Sequence, residues 1–124
     1  MAVLTETRHA GGFMVSEANG FRSRETVTVL SGQVLQAGTV LGRITASGKY
    51  VAWEASTSAE ADGSTTVRAI LYGPVDATAG DTKGVIVIRD AEVNGGELVY
   101  PAGTQPQEKA VAIAALLALG IIVR

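Results

Sequence analysis

The chain has 124 residues, 47% hydrophobic and only 18% charged, with ten basic against twelve acidic side chains and a net charge of −2. That length makes one domain the default, burying about two thirds of the unfolded surface and leaving no room for a second domain around a deep cleft. The isoelectric point near 5.3 excludes the basic footprint of a duplex-nucleic-acid binder, and the lack of cysteine excludes disulfides, thiolate metal sites and a cysteine nucleophile.

Met1 to Arg8 mixes acid and base and has no apolar core segment, so no signal peptide is expected. The longest apolar run, Ala110 to Val123, falls short of the roughly 20 residues that cross a bilayer. A soluble protein made in a cytoplasm, with no membrane partner, is the expectation. Residues 1–24 carry two glycine-containing breaks, Gly11-Gly12 and Asn19-Gly20, and the single histidine. They read as an N-terminal arm, with residues 25–124 as the folded domain. Within the arm, Ala2-Val3-Leu4-Thr5-Glu6-Thr7 and Gly12-Phe13-Met14-Val15-Ser16 are β-prone, each suited to adding a strand to a partner's sheet.

From Glu25 onward, strand and turn signals alternate at the spacing of a small sandwich or barrel. Glu25 to Leu30 alternates with period two. Thr39 to Ala46 should form a hairpin with Lys49 to Glu54 across a two-residue Ser47-Gly48 turn, placing Val51 and Trp53 on one face. Ser56 to Ser64 is polar and small, hence an exposed loop. Thr66 to Tyr72 is the next strand, and Gly84 to Ile88, apolar on both faces, should be the most buried one. Asn94-Gly95-Gly96 marks a turn before a short Leu98 to Tyr100 strand. Thr104-x-x-Gln107 fits a capping box, so a helix should run over about 105–119 and end at a left-handed Gly120. Ile113, Leu116 and Leu117 would form its core face. Ala114, Ala115 and Ala118 would form a small face lying against another backbone, of its own sheet or of a neighbouring subunit. Ile121 to Arg124 reads as a terminal strand. The expected fold is mainly β (α+β): a small barrel- or sandwich-like domain with one C-terminal helix and an extended N-terminal arm.

No constellation for chemistry emerges. His9, the one imidazole, lies in the arm, where a preorganised triad cannot be held. Asp90 and Glu92 could share a face, but no third ligand follows at metal-loop spacing, and the Asp76 to Asp81 segment lacks the alternation of a calcium loop. Gly80 to Gly84 misses phosphate-loop spacing. Arg22 and Arg24 beside Phe21 are nearly cancelled by Glu17 and Glu25, which argues against single-strand binding. Trp53 and Tyr100 are expected to pack, in the core or at a subunit contact. No catalytic residue, metal site or cofactor is expected, and a binding or structural role remains.

Several stretches are similar to the lambda-type bacteriophage head decoration protein D family: Gly12-Phe-Met-Val-Ser-Glu-Ala-Asn-Gly-Phe-Arg-Ser-Arg-Glu25, Val40 to Trp53, Ala69 to Tyr72, Val75 to Thr78, Arg89 to Asn94, Leu98 to Pro101 and Leu119 to Arg124. The resemblance covers almost the whole sequence from Gly12, in order. It implies a homotrimer on the outer surface of the virion, at local three-fold positions of the expanded head, bound to the major capsid protein and resisting the pressure of packaged DNA. It implies no enzymatic activity and no nucleic-acid contact. Under that reading Ala2, Val3, Leu4, Thr5, Phe13, Met14, Val15 and Ser16 bind the capsid, while Trp53, Tyr100, Ala114, Ala115 and Ala118 are candidates for the trimer contact or internal packing. The rival readings are a β-barrel that binds a small ligand and another self-assembling phage subunit of tail or fibre type.

Overall fold

The computed structural model describes residues 5–54 and 62–124. Five strands close into a barrel in the order β2 (Arg24–Val29), β5 (Tyr50–Ala52), β4 (Val40–Arg43), β6 (Val67–Leu71) and β8 (Thr82–Val87). β2 and β8 pair antiparallel along their whole length, from Arg24 opposite Val87 to Val29 opposite Thr82. The barrel closes through one parallel step between Val29 and Tyr50. A two-stranded ribbon, β3 (Val34–Leu35) with β7 (Val75–Asp76), caps it. A second sheet has the order β1 (Met14–Glu17), β9 (Ala91–Val93), β10 (Ile121–Val123), with β1 antiparallel and β10 parallel to the middle strand. The helix α1 (Pro106–Ala118) connects β9 to β10 after a 3-10 turn at Gly95–Glu97.

Alternation along the barrel strands divides the core in two. Val29, Leu41, Ala69, Leu71 and Ile86 form one buried cluster, which fills the barrel. Their neighbours of opposite parity, Val40, Ile70 and Val87, join a second cluster with Trp53, Val93, Ala112, Leu116 and Ile121, where the barrel wall meets the helix and the outer sheet. The architecture is mainly β with a closed barrel and one C-terminal helix, as the patterning implies.

Local details differ from the sequence reading for identifiable reasons. The β4–β5 hairpin forms in the expected place, with Leu41 opposite Ala52 and Arg43 opposite Tyr50. Its loop is longer than two residues: Ile44 N donates to Lys49 O and Gly48 N to Ile44 O, with Gly48 left-handed at φ +74°. The Gly84–Ile88 segment is not the most buried strand: Val85 and Ile88 are only half-buried, whereas Val40–Gly42 of β4 and Ala69–Leu71 of β6 are buried without a break. Leu98 to Tyr100 contributes a single parallel bridge, Val99 to Thr39. Most of the Ser56–Ser64 loop lies outside the described residues. Its last residue, Ser64, is buried, with its hydroxyl donating to Asp62 Oδ1 at 2.6 Å.

The helix begins one residue later than the Thr104 box implies. Gln105 is the N-cap, and its backbone N–H donates to Glu108 Oε1 at 2.9 Å. Thr104 instead donates back to Pro101 O at 2.5 Å. Gly120 takes the expected left-handed cap at φ +88°.

Candidate functional site

The groups capable of acid–base or metal chemistry are dispersed and engaged on the surface. His9 Nε2 lies 2.5 Å from Glu6 Oε1, both side chains exposed. Asp90 pairs with Arg22 at 3.3 Å and Glu92 with Arg124 at 3.3 Å, so the two carboxylates turn to different arginines instead of converging. Among the described residues no group of three or more His, Cys, Asp or Glu side chains gathers to hold a metal ion. The buried hydroxyls of Ser23 and Thr39 are committed to turns. Ser23 donates to Asp90 O at 2.8 Å while accepting from Ala18 N, and Thr39 donates to Gln36 O at 2.7 Å. The barrel interior is occupied by aliphatic side chains, Val29, Leu41, Ala69, Leu71 and Ile86 among them.

What the molecule presents outward is apolar surface and open backbone. In the arm, Ala2, Val3 and Leu4 lie outside the described residues. Thr5 to Ala10 are exposed. This stretch is held by Arg8 Nη1, which donates to both Glu97 O and Glu97 Oε2 at 2.9 Å. An open groove of about 750 Å³ separates it from Phe13, Gln36 and Ala37. At Gly11 the backbone N–H donates to Tyr72 O at 2.8 Å. Gly11 is left-handed at φ +68°, and a Cβ there would strike the Tyr72 ring. From this point the backbone belongs to the domain.

Phe13, which the resemblance implies to be a capsid-binding residue of the arm, is only 3% exposed and packs into the protein's own core beside Val40 and Trp53. An aromatic ring adjacent to an unfilled face of its own fold is buried there without first waiting for a partner. Met14 is half-buried against the same core. Val15 is 55% exposed and Ser16 exposed, on a strand whose one pairing among the described residues is with β9. β1 is thus an edge strand of its sheet among the described residues. Glu17 anchors the strand's end through Arg24, whose Nε donates to Glu17 Oε2 at 2.9 Å. That hydrogen bond raises the Arg24 pKa above its ordinary value, and the guanidinium also stacks over Tyr72.

Trp53 is an internal packing residue. It is 2% exposed, donates from Nε1 to Thr65 O at 2.9 Å, and meets Tyr100 edge-on with ring centroids 6.4 Å apart. Tyr100 is half-buried, and that burial raises its phenol pKa. On α1 the expected faces are partly interchanged. Ala112 and Leu116 are buried and Ala115 is half-buried, whereas Ala114, Ala118, Ile113 and Leu117 face outward. Val111 is 64% and Leu117 61% exposed. Between Lys109 and Arg124 the sequence has no charged residue, so this outward face is apolar for about the last two and a half turns of the helix. The nearly uniform apolarity hides the phase of the helix from sequence reasoning. The i, i+4 pair Ala112 and Leu116 is its only internal signal.

A side-chain-filled barrel, an edge strand and a bare apolar helix face define a structural protein that works through its surface. The chain matches the family model of bacteriophage lambda head decoration protein D over residues 3–121, and it belongs to that family. Its role is thus structural, in the phage capsid, and the family is not an enzymatic one. No curated protein matches the sequence. Among the described residues no helix is long and apolar enough to cross a membrane.

Proposed function

We propose that this protein is a trimeric cementing protein. It seats on the outer surface of the expanded phage head at local three-fold sites, binds the major capsid protein, and stabilises the shell against internal DNA pressure. The observation that carries this reading is the edge strand β1, paired on one side only among the described residues and preceded by a stretch tied to the domain through Arg8. Residues 2–10 are the segment that reaches a capsid subunit. Release of the Arg8–Glu97 contact frees that segment, and the segment together with the β1 edge supplies backbone donors and acceptors for strand addition. Val15 and Leu4 are its apolar anchors; Phe13 braces β1 from beneath and acts indirectly. Met14, Ser16 and Thr5 contribute through the backbone.

Ordering such an arm costs roughly 1–2 kcal/mol per residue, so a single arm binds weakly. Three arms on one rigid body bind with a high effective concentration, which converts weak contacts into lasting attachment. The three-fold contact is built from the outward face of α1, with Val111, Ala114, Leu117 and Ala118 packing against neighbouring copies; small alanines allow close backbone approach.

The decisive experiment mixes undecorated expanded heads with full-length protein and with a variant lacking Met1 to Ala10, followed by imaging of the particles. The truncation ends before the Gly11–Tyr72 hydrogen bond and leaves that contact in place. The expected result is a folded trimer absent from the shells. Near-native occupancy by the truncated protein overturns the arm's role.

A further inference from the structure

Both asparagines of the sequence, Asn19 and Asn94, are followed by glycine, and the fold treats the two pairs in opposite ways. In Asn94-Gly95 the nitrogen that would attack the carboxamide is occupied: Gly95 N donates to Arg124 O at 3.0 Å. The Asn94 carboxamide is fixed as well, with Oδ1 accepting from Gly96 N at 3.0 Å. The space around Gly95 is filled, since a Cβ there would meet Val123 Cγ1 at 2.8 Å. Asn19-Gly20 lies in the turn between β1 and β2. Both residues are exposed, neither the Asn19 carboxamide nor Gly20 N has a hydrogen-bond partner among the described residues, and nothing lies within 4 Å of a Cβ built at Gly20.

We propose that Asn19 is a site of spontaneous deamidation and isomerisation, while Asn94 is protected by the fold. Hydroxide removes the Gly20 amide proton, and the nitrogen attacks Cγ of Asn19. A new bond from Gly20 N to Asn19 Cγ closes a five-membered imide as the Cγ–Nδ2 bond breaks and ammonia leaves. Water then opens the imide at either carbonyl, giving aspartate or isoaspartate. No oxidant or reductant takes part. Glycine favours the reaction because it has no side group to crowd the ring.

The product matters because of where the turn is pinned. Ser23, fully buried, receives the Ala18 N–H and donates to Asp90 O, tying the exit of β1 to the start of β9. Isoaspartate inserts an extra backbone carbon between Ala18 and Ser23 and adds a carboxylate three residues before Arg22, which pairs with Asp90. Ageing therefore makes the protein one charge more negative and loosens the end of β1.

The test is incubation of the purified full-length protein in warm, mildly alkaline buffer, followed by peptide mapping for the gain of nearly one mass unit at each asparagine. A parallel sample is unfolded in urea. In the folded protein Asn19 should convert at least about tenfold faster than Asn94, which must first open its hydrogen bonds. In urea the two rates should converge. Asn19→Gln should remove the acidic form that appears on isoelectric focusing of the folded protein. Equal rates in the folded state, faster conversion at Asn94, or an Asn19 that stays intact in the folded protein while it reacts in urea would each overturn the proposal.

Discussion

Leu117 and Leu116 are adjacent in sequence and opposite in environment, which makes them the sharpest probe of the proposed three-fold contact. Leu116 is fully buried and Leu117 is 61% exposed. Complete burial of a leucine side chain is worth about 1.5–3 kcal/mol, so covering the exposed part of Leu117 contributes about 1–2 kcal/mol per subunit. Across a three-fold contact the total is about 3–6 kcal/mol, or roughly two to four orders of magnitude in the trimer association constant. Leu117→Gln keeps helix propensity and places a polar group on an already exposed position, so its direct effect on the folded domain is within about 0.5 kcal/mol. Sedimentation over a range of concentrations should show the variant dissociating where the parent protein stays associated. Thermal melting at a concentration where both are monomeric should nearly coincide. An unchanged association constant for Leu117→Gln would place the subunit contact elsewhere on the molecule.

Other outcomes follow from single contacts. Leu116→Ala should cost about 2–5 kcal/mol of stability through the cavity left between helix and barrel, read by urea denaturation. Gly42→Ala places a Cβ against the Ser64 backbone beside the β4–β6 bulge. Backbone cannot swing aside as a flexible side chain does, so a loss of about 1–3 kcal/mol or more is expected in the same assay. Trp53→Phe removes the donor to Thr65 O and should cost about 1–3 kcal/mol, with loss of the near-ultraviolet circular dichroism of the Trp53–Tyr100 pair. The Asp81 carboxyl is held below its ordinary pKa of 3.8 by its hydrogen bond to Lys49, and next by the Ser31 N–H. Its depressed folded pKa means that the stabilisation is present above the unfolded value and lost as pH falls through the folded one. The Tm difference between the parent protein and Asp81→Asn should therefore be largest near neutrality and shrink as the pH drops below about 4; a constant difference would refute the assignment.

Much of the barrel is legible in the sequence because a strand declares itself locally. Alternation in Glu25 to Leu30, the glycine-marked hairpin before Tyr50, and the turn at Asn94-Gly95-Gly96 each bias the backbone within a few residues, whatever lies across the sheet. The left-handed Gly120 is local in the same sense, since only backbone sterics select it. What tertiary structure alone decides is which of two chemically equivalent surfaces receives an apolar group. Phe13 suits a partner's pocket and its own core equally well by composition, and the unfilled face beside Val40 and Trp53 takes it. The helix offers apolar side chains all round, so its phase is set by contact with β6 and β10, burying Ala112 and Leu116 and leaving Leu117 outside. The same holds for the two asparagine–glycine pairs: identical as dipeptides, they differ in large part because the C-terminal strand returns to bind Gly95. Burial and hydrogen bonding across long sequence separations are properties of the assembled fold, and no window of the sequence contains them.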